Sequence, residues 1–279
     1  MICTQPRKIA AISLAERVGF EFGAGAANCS NAVGFQVGGQ KRVSASNRIV
    51  YMTETLLLHH VTRGVKNPFE NCCAVIVDEA HTRAISTDVL LGVLKSQIEQ
   101  WPDLRVVVTS ATISTAKFSA YLNQCPVVEI PGRLYPVDVI FRPFNQDATS
   151  TVDAVVKLAL EICQGRERGD LLCFLTGQNE VESAGQRFSA ACRDPLVHSF
   201  CLYGKQTSEQ QQKVFVPLRA DERKVIFSTD IAETSVTIDG VRFVIDSGLT
   251  KNVVYDAARN ISSLTVFVFY FWLFLEDDW

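Results

Sequence analysis

Short apolar runs rich in β-branched residues alternate along this chain with stretches whose apolar positions recur at helical spacing. Strands are predicted over Ile49–Met52, Cys73–Val77, Arg105–Thr109, Val137–Phe141, Leu171–Leu175, Lys224–Ser228 and Arg242–Ile245. Several are apolar almost throughout, the pattern of parallel strands covered on both faces. Helical spacing is seen from Ile9 to Val18, entered through Pro6, and again over Val89–Ile98 and Val152–Ile162. The alternation predicts a doubly wound α/β architecture with right-handed crossovers. Pro131-Gly132-Arg133-Leu134-Tyr135-Pro136 breaks both kinds of element, and a second αβ series follows it. Two α/β units are therefore expected.

Composition narrows the partners without naming one. The 279 residues carry a net charge of −3, so a strongly basic nucleic-acid-coating protein is disfavoured. A local basic groove is compatible with that charge, because only the field lining it matters. The nine cysteines show no zinc-site spacing. Several, Cys73 and Cys173 among them, sit in apolar runs and read as buried reduced thiols. No signal peptide is read at the N-terminus. The apolar run Val266–Leu275 is ten residues long, about half of what a helix needs to cross a bilayer, so no membrane span is expected.

Three segments carry candidate chemistry. Ala74-Val75-Ile76-Val77 runs into Asp78-Glu79-Ala80-His81, placing two adjacent carboxylates where a buried parallel strand ends. That edge is where α/β proteins bind ligands. An acid there can hold Mg²⁺ and its neighbour can orient a water, although acids also simply suit the start of a helix. Val106-Val107-Val108-Thr109 leads into Ser110-Ala111-Thr112, again small hydroxyl residues behind a strand. Ser228 to Gly240 is a hydroxyl-rich loop that either meets a phosphate backbone or supplies turn and cap chemistry.

Taken in order, these segments resemble the DEAH-box family of superfamily-2 RNA helicases. Thr4-Gln5-Pro6-Arg7-Lys8 is similar to motif Ia, and Tyr51-Met52-Thr53 to the RNA-contacting segment after it. Asp78-Glu79-Ala80-His81 resembles motif II, Ser110-Ala111-Thr112 motif III, Phe174-Leu175-Thr176-Gly177-Gln178 motif IV and Thr229–Gly240 motif V. The resemblance implies two RecA-like lobes with mainly parallel sheets, both incomplete, over residues 1–133 and 134–265, followed by an atypical hydrophobic tail, 266–279. It implies that Asp78 and Glu79 hold Mg²⁺, that Glu79 positions the hydrolytic water, and that His81 links the ATP state to the second lobe. Ser110 and Thr112 complete the catalytic set. Arg17, Phe215, Ser235, Thr237 and Asp239 are expected to meet ATP; for Arg17 a solvated helix charge, and for Phe215 a core aromatic, stand as alternatives. Arg7, Thr53 and Thr229 are expected to touch RNA.

The chain departs from the family pattern in several places. It holds no Gly-x-x-x-x-Gly-Lys-Thr stretch; Gly204-Lys205 is followed by Gln206 and is no phosphate loop. The arginine-rich motif VI is also missing, so the chain reads as truncated at both ends of the motor core. Glu54-Thr55 stand where Asp-Gly is usual, and Thr82 where Glu is common. The expected activity is ATP-dependent RNA remodelling, with this chain itself ATPase-deficient; the alternative is a non-catalytic RNA- or protein-binding fragment. RNA is the expected partner, with a glycine-patch activator or ribonucleoprotein complex, in the nucleus or cytoplasm. Loss of the motif I strand is expected to leave unpaired strand edges in the first lobe.

Overall fold

A computed structural model of the chain describes residues 1–22, 32–63, 68–111, 115–132, 135–143, 150–165, 167–233 and 238–268. It divides into two units, Met1–Val137 and Asp138–Trp279.

In the first unit the elements are β1 (Ile2–Gln5), α1 (Lys8–Glu21), β2 (Val33–Val37), β3 (Gln40–Arg42), β4 (Ile49–Thr53), α2 (Glu54–Arg63), β5 (Ala74–Val77), α3 (Ile85–Gln100), β6 (Arg105–Val108) and α4 (Thr115–Tyr121). A 3₁₀ turn over Ala80–Thr82 joins β5 to α3. The sheet runs β3-β2-β4-β1-β5-β6, parallel except where β3 folds back on β2. Side-chain alternation along the strands builds two cores. Cys3, Val33, Phe35 and Tyr51 pack on the small residues Ala11 and Ala15 of α1, whose size lets helix and sheet approach closely. Ile2, Met52, Val75 and Val77 face the opposite way onto Leu57, Leu90 and Leu94 of α2 and α3. Helices on both faces of a parallel sheet are what near-continuous apolar strands require.

The second unit repeats the logic with α5 (Thr151–Gln164), β7 (Asp170–Phe174), α6 (Gln178–Ala191), β8 (Val197–Leu202), α7 (Ser208–Gln212), β9 (Arg223–Ser228) and β10 (Val241–Asp246). Its four strands are parallel in the order β10-β7-β9-β8. Leu171, Cys173, Val225 and Phe227 pack under α5 and α6, while Leu172, Leu202 and Ile226 face Val214 and Ile238. A separate antiparallel ribbon, β11 (Leu249–Asp256) and β12 (Ile261–Val268), pairs from Leu249↔Val268 to Asp256↔Ile261. Val266–Val268, assigned to the atypical tail, continue β12; residues 269–279 lie outside the described ones.

Two expectations need correction. Val137–Phe141 form no strand: among the described residues no ladder partner lies beside the segment, and its apolar side chains are exposed. Cys73 is exposed rather than buried, whereas Cys173 lies in the core and burial pushes its thiol up. No helix among the described residues is long and apolar enough to cross a membrane. Among the described residues β6 pairs only with β5 and is an edge, although its sequence is Arg-Val-Val-Val; Val107 is 45 % exposed. Apolar edge strands are templates for further strand addition.

Candidate active site of unit 1 and cleft of unit 2

The carboxylates at the end of β5 sit in a preformed cage of neighbouring strand ends. Because β1, β5 and β6 are adjacent and parallel, Gln5, Asp78 and Thr109 leave the sheet at the same edge. Gln5 Nε2 donates to Asp78 Oδ2 at 2.7 Å, while the Thr109 hydroxyl and the Glu79 backbone N–H both donate to Oδ1. One carboxylate thus accepts three hydrogen bonds, which fixes its plane. Gln5 is itself fully buried, and its Oε1 is buried without a hydrogen-bond partner.

Glu79 adopts a left-handed backbone, φ 58° and ψ 37°, and Arg83 does so too at φ 48°. The two bracket the Ala80–Thr82 turn. Such backbone in a residue with a Cβ costs about 1–2 kcal/mol and persists only where the surroundings hold it. Here they do. Ala80 N donates to Thr109 O, the Thr82 hydroxyl donates to Glu79 O at 3.0 Å, and the Arg83 guanidinium forks onto Asp88 at 2.9 and 2.8 Å. His81 Nε2 lies 3.2 Å from Glu79 Oε2, and its Nδ1 accepts from Ala111 N at 3.5 Å.

Motif II and the start of motif III are therefore brought together, but through Thr109 and Ala111. Ser110 is exposed, and Thr112 lies outside the described residues. Arg7 precedes α1 and Thr53 ends β4; since Gln5 pairs with Thr53 across β1 and β4, the two predicted RNA contacts share this sheet edge. Arg17 is exposed on α1 and pairs with Glu21 at 2.5 Å. In unit 2, Phe215 packs partly buried against the Leu172–Ile226 cluster and Asp239 is exposed, while Ser235 and Thr237 lie outside the described residues.

The second unit carries a cleft of about 520 Å³ at the carboxyl ends of β7, β8 and β9. Thr176 and Gly177, Gly204 and Lys205, and Thr229 line it, with Lys251 of β11 reaching in. The Lys251 ammonium would lie 3.9 Å from a Cβ placed on Gly177, so it stands over the first turn of α6. No side chain caps that helix at Gly177. Instead Glu180 reaches back to accept from Thr176 N and Oγ1 at 2.9 and 2.7 Å. Beside it Tyr203 Oη donates to Glu182 at 2.5 Å, an interaction that holds the Glu182 carboxyl below its ordinary range and pushes the phenol up. Two ammonium groups, two hydroxyls and a helix N-terminus form a recess suited to phosphate oxygens. The sequence signal for Lys205 was its Gly-Lys pair, dismissed as a phosphate loop yet placed at a strand end.

Buried Glu54, at the first position of α2, accepts from Ser86 Oγ at 2.8 Å and Thr87 Oγ1 at 2.9 Å. Burial raises its pKa, partly opposed by those hydroxyls. A carboxyl raised in the folded state contributes stability that is full below its unfolded value, 4.5, and is lost as pH rises through the folded value. Glu54→Gln is therefore expected to melt higher than the parent at neutral pH, with the gap closing toward about pH 4, as checked by melting curves across that window. A pH-independent difference would contradict it.

Comparison with known proteins agrees with this geometry. Residues 150–263 match the family described as "Helicase conserved C-terminal domain". The chain is 41% identical to the "Probable ATP-dependent RNA helicase DHX34" of Mus musculus, over 95% of this chain and 24% of that protein. It is 39% identical to the "Probable ATP-dependent RNA helicase DHR2" of Saccharomyces cerevisiae, over 94% of this chain and 36% of that one. It thus spans roughly a quarter to a third of these relatives. The Escherichia coli DEAH/RHA helicase HrpB superposes with a TM-score of 0.82 at 27% identity, over 96% of this chain and 33% of that structure. Sheet order, the caged Asp78 and these likenesses agree: the chain is similar to DEAH-box RNA helicases along 94–95% of its length, and its two α/β units are RecA-like.

Proposed function

We propose that this chain forms part of the motor core of an ATP-dependent RNA helicase, with nucleotide chemistry in unit 1 and backbone grip in both units. The observation that carries the reading is the three-donor cage around Asp78, because an ordinary helix-start acid has no need of such a fixed orientation. Asp78 and Glu79 offer the hard oxygen donors that Mg²⁺ takes while keeping most of its waters, so they fit the ion and would hold it. Bound there, Mg²⁺ would neutralise charge on the ATP phosphates. Glu79 orients the attacking water, and His81 fixes Glu79 in turn. Arg7, Thr53 and Thr229 meet the RNA backbone, which carries no base code, so recognition is largely independent of sequence.

The chain contains no Gly-x-x-x-x-Gly-Lys-Thr stretch to cradle β- and γ-phosphates. On its own it is therefore expected to hydrolyse ATP poorly while still binding RNA. Steady-state ATPase with and without RNA tests both halves. RNA-stimulated turnover abolished by Glu79→Gln would overturn the deficiency; failure to bind RNA at low salt would overturn the helicase reading. Reading partners beyond RNA, a glycine-patch activator or ribonucleoprotein complex follows from the same family logic, in the nucleus or the cytoplasm.

A further inference from the structure

Besides the pairing of Thr53 with Gln5, the strand end expected to meet RNA is joined to the DEAH turn by Glu54, which touches neither ligand. Thr53 is the last residue of β4 and Glu54 the first of α2, so the two move as one backbone joint. Glu54 is 1 % exposed, with Thr87 fully buried beside it. Its two carboxylate oxygens each accept one hydroxyl, Ser86 on one and Thr87 on the other. Both hydroxyls belong to the first turn of α3, which begins three residues after the Ala80–Thr82 turn. The N-cap of α3 is Ala84, which has no side chain able to cap. Glu54 therefore grips the first turn of α3 from another helix through two side-chain hydroxyls, its carboxyl lying near the positive end of a 16-residue helix.

A purely structural contact would not need a carboxylate. Burying a charge held only by neutral hydroxyls is expensive, and an apolar trio of the same volume commonly does as well or better. What the carboxylate adds is a rigid two-point hold on the start of α3. The other supports of the DEAH turn converge on the same short stretch: Asp78 is held from β1 and β6, Glu79 and Arg83 keep left-handed backbone, and Arg83 is forked onto Asp88. A displacement at Thr53 thus reaches that turn by two routes, through the β1–β4 pairing to Gln5 and Asp78 and, directly along the chain, through Glu54 to the start of α3.

We propose that Glu54 is a positioning residue that transmits RNA contact at Thr53 to the Asp78–Asp88 turn by way of Ser86 and Thr87. The proposal rests on the RNA-binding reading above. Being buried, Glu54 cannot meet RNA, so any change it makes to what RNA does at the turn is transmitted.

Hydrogen exchange on the intact chain, free and saturated with a single-stranded oligouridylate, reads the coupling directly. In the parent and in Glu54→Gln, whose amide keeps one acceptor and one donor for the two hydroxyls, RNA is expected to slow exchange over residues 79–88. In Glu54→Ala that RNA-dependent slowing is expected to be lost while oligonucleotide affinity is unchanged. A merely structural role would speed exchange there in free and bound protein alike and leave the difference between them intact. Should Glu54→Ala fail to fold, the triple change Glu54→Leu, Ser86→Ala, Thr87→Val removes the link without leaving a polar group unpaired; it is expected to bind RNA and show no slowing. RNA binding with equal slowing in these variants, or none in the parent, would overturn this proposal alone. No oligonucleotide binding by the parent would overturn it together with the RNA reading.

Discussion

Replacing both Lys205 and Lys251 by alanine is expected to weaken binding of single-stranded RNA about tenfold near 0.15 M salt and to flatten its salt dependence. Both ammonium groups line the cleft at the carboxyl ends of β7, β8 and β9, with Lys251 standing over the start of α6. Each phosphate neutralised on a single strand contributes about −0.7 to the slope of log K against log salt, so losing two should reduce the slope by about 1.4. The loss should be uniform across sequences, because phosphate contacts position without specifying. Titrations at several salt concentrations, with two unrelated oligonucleotides, provide the check. An unchanged slope would remove the cleft from the RNA path, whatever happened to affinity at one salt.

Phe227→Ala is expected to cost about 3–5 kcal/mol of folding stability. Phe227 is fully buried in β9, and its ring sits 5.7 Å from that of Phe188 at 59°. It stands between the sheet and α6, so truncation opens a cavity that rigid parallel strands cannot close. Against a typical total of about 5–15 kcal/mol, that loss leaves the unit barely folded at 37 °C. Chemical denaturation followed by circular dichroism should show an earlier midpoint for the transition of this unit. A loss under about 1 kcal/mol would mean the site collapses around the missing ring, which the packing argues against. Phe227→Leu is expected to fall between the two.

Burial on both faces made some strands legible in the sequence, but it was not the whole signal: β6 and β10 were predicted although partly exposed, and the buried Val33–Val37 was not. Val225-Ile226-Phe227 and Ala74-Val75-Ile76-Val77 read as continuous apolar runs because helices cover each side of the sheet. Ile2–Gln5 escaped notice because half of it is polar: Thr4 and Gln5 are buried for hydrogen bonds to Ile76 and Asp78, and hydrophobicity does not report that. Val137–Phe141 failed in the opposite sense, since its alternation is strand-like but a strand exists only with a partner. At the candidate site, Asp78 and Glu79 were readable from their place after a strand, and His81 only from the family resemblance. Gln5 and Thr109 were not, because their role depends on which strands lie side by side, and β1, β5 and β6 are 73 and 31 residues apart at the contact points. Glu54 was visible only as a departure from the family's Asp; its reach to α3 needed coordinates.

The exposed flank of β6 makes concentration itself a variable for this molecule. A free parallel edge lined by valine can accept a strand from a second copy as readily as from any other source, and that reaction is second order while folding is first order. Dilute chains therefore have time to settle into separate units before they meet, whereas crowded ones are offered a competing neighbour at Val107 from the moment the sheet forms.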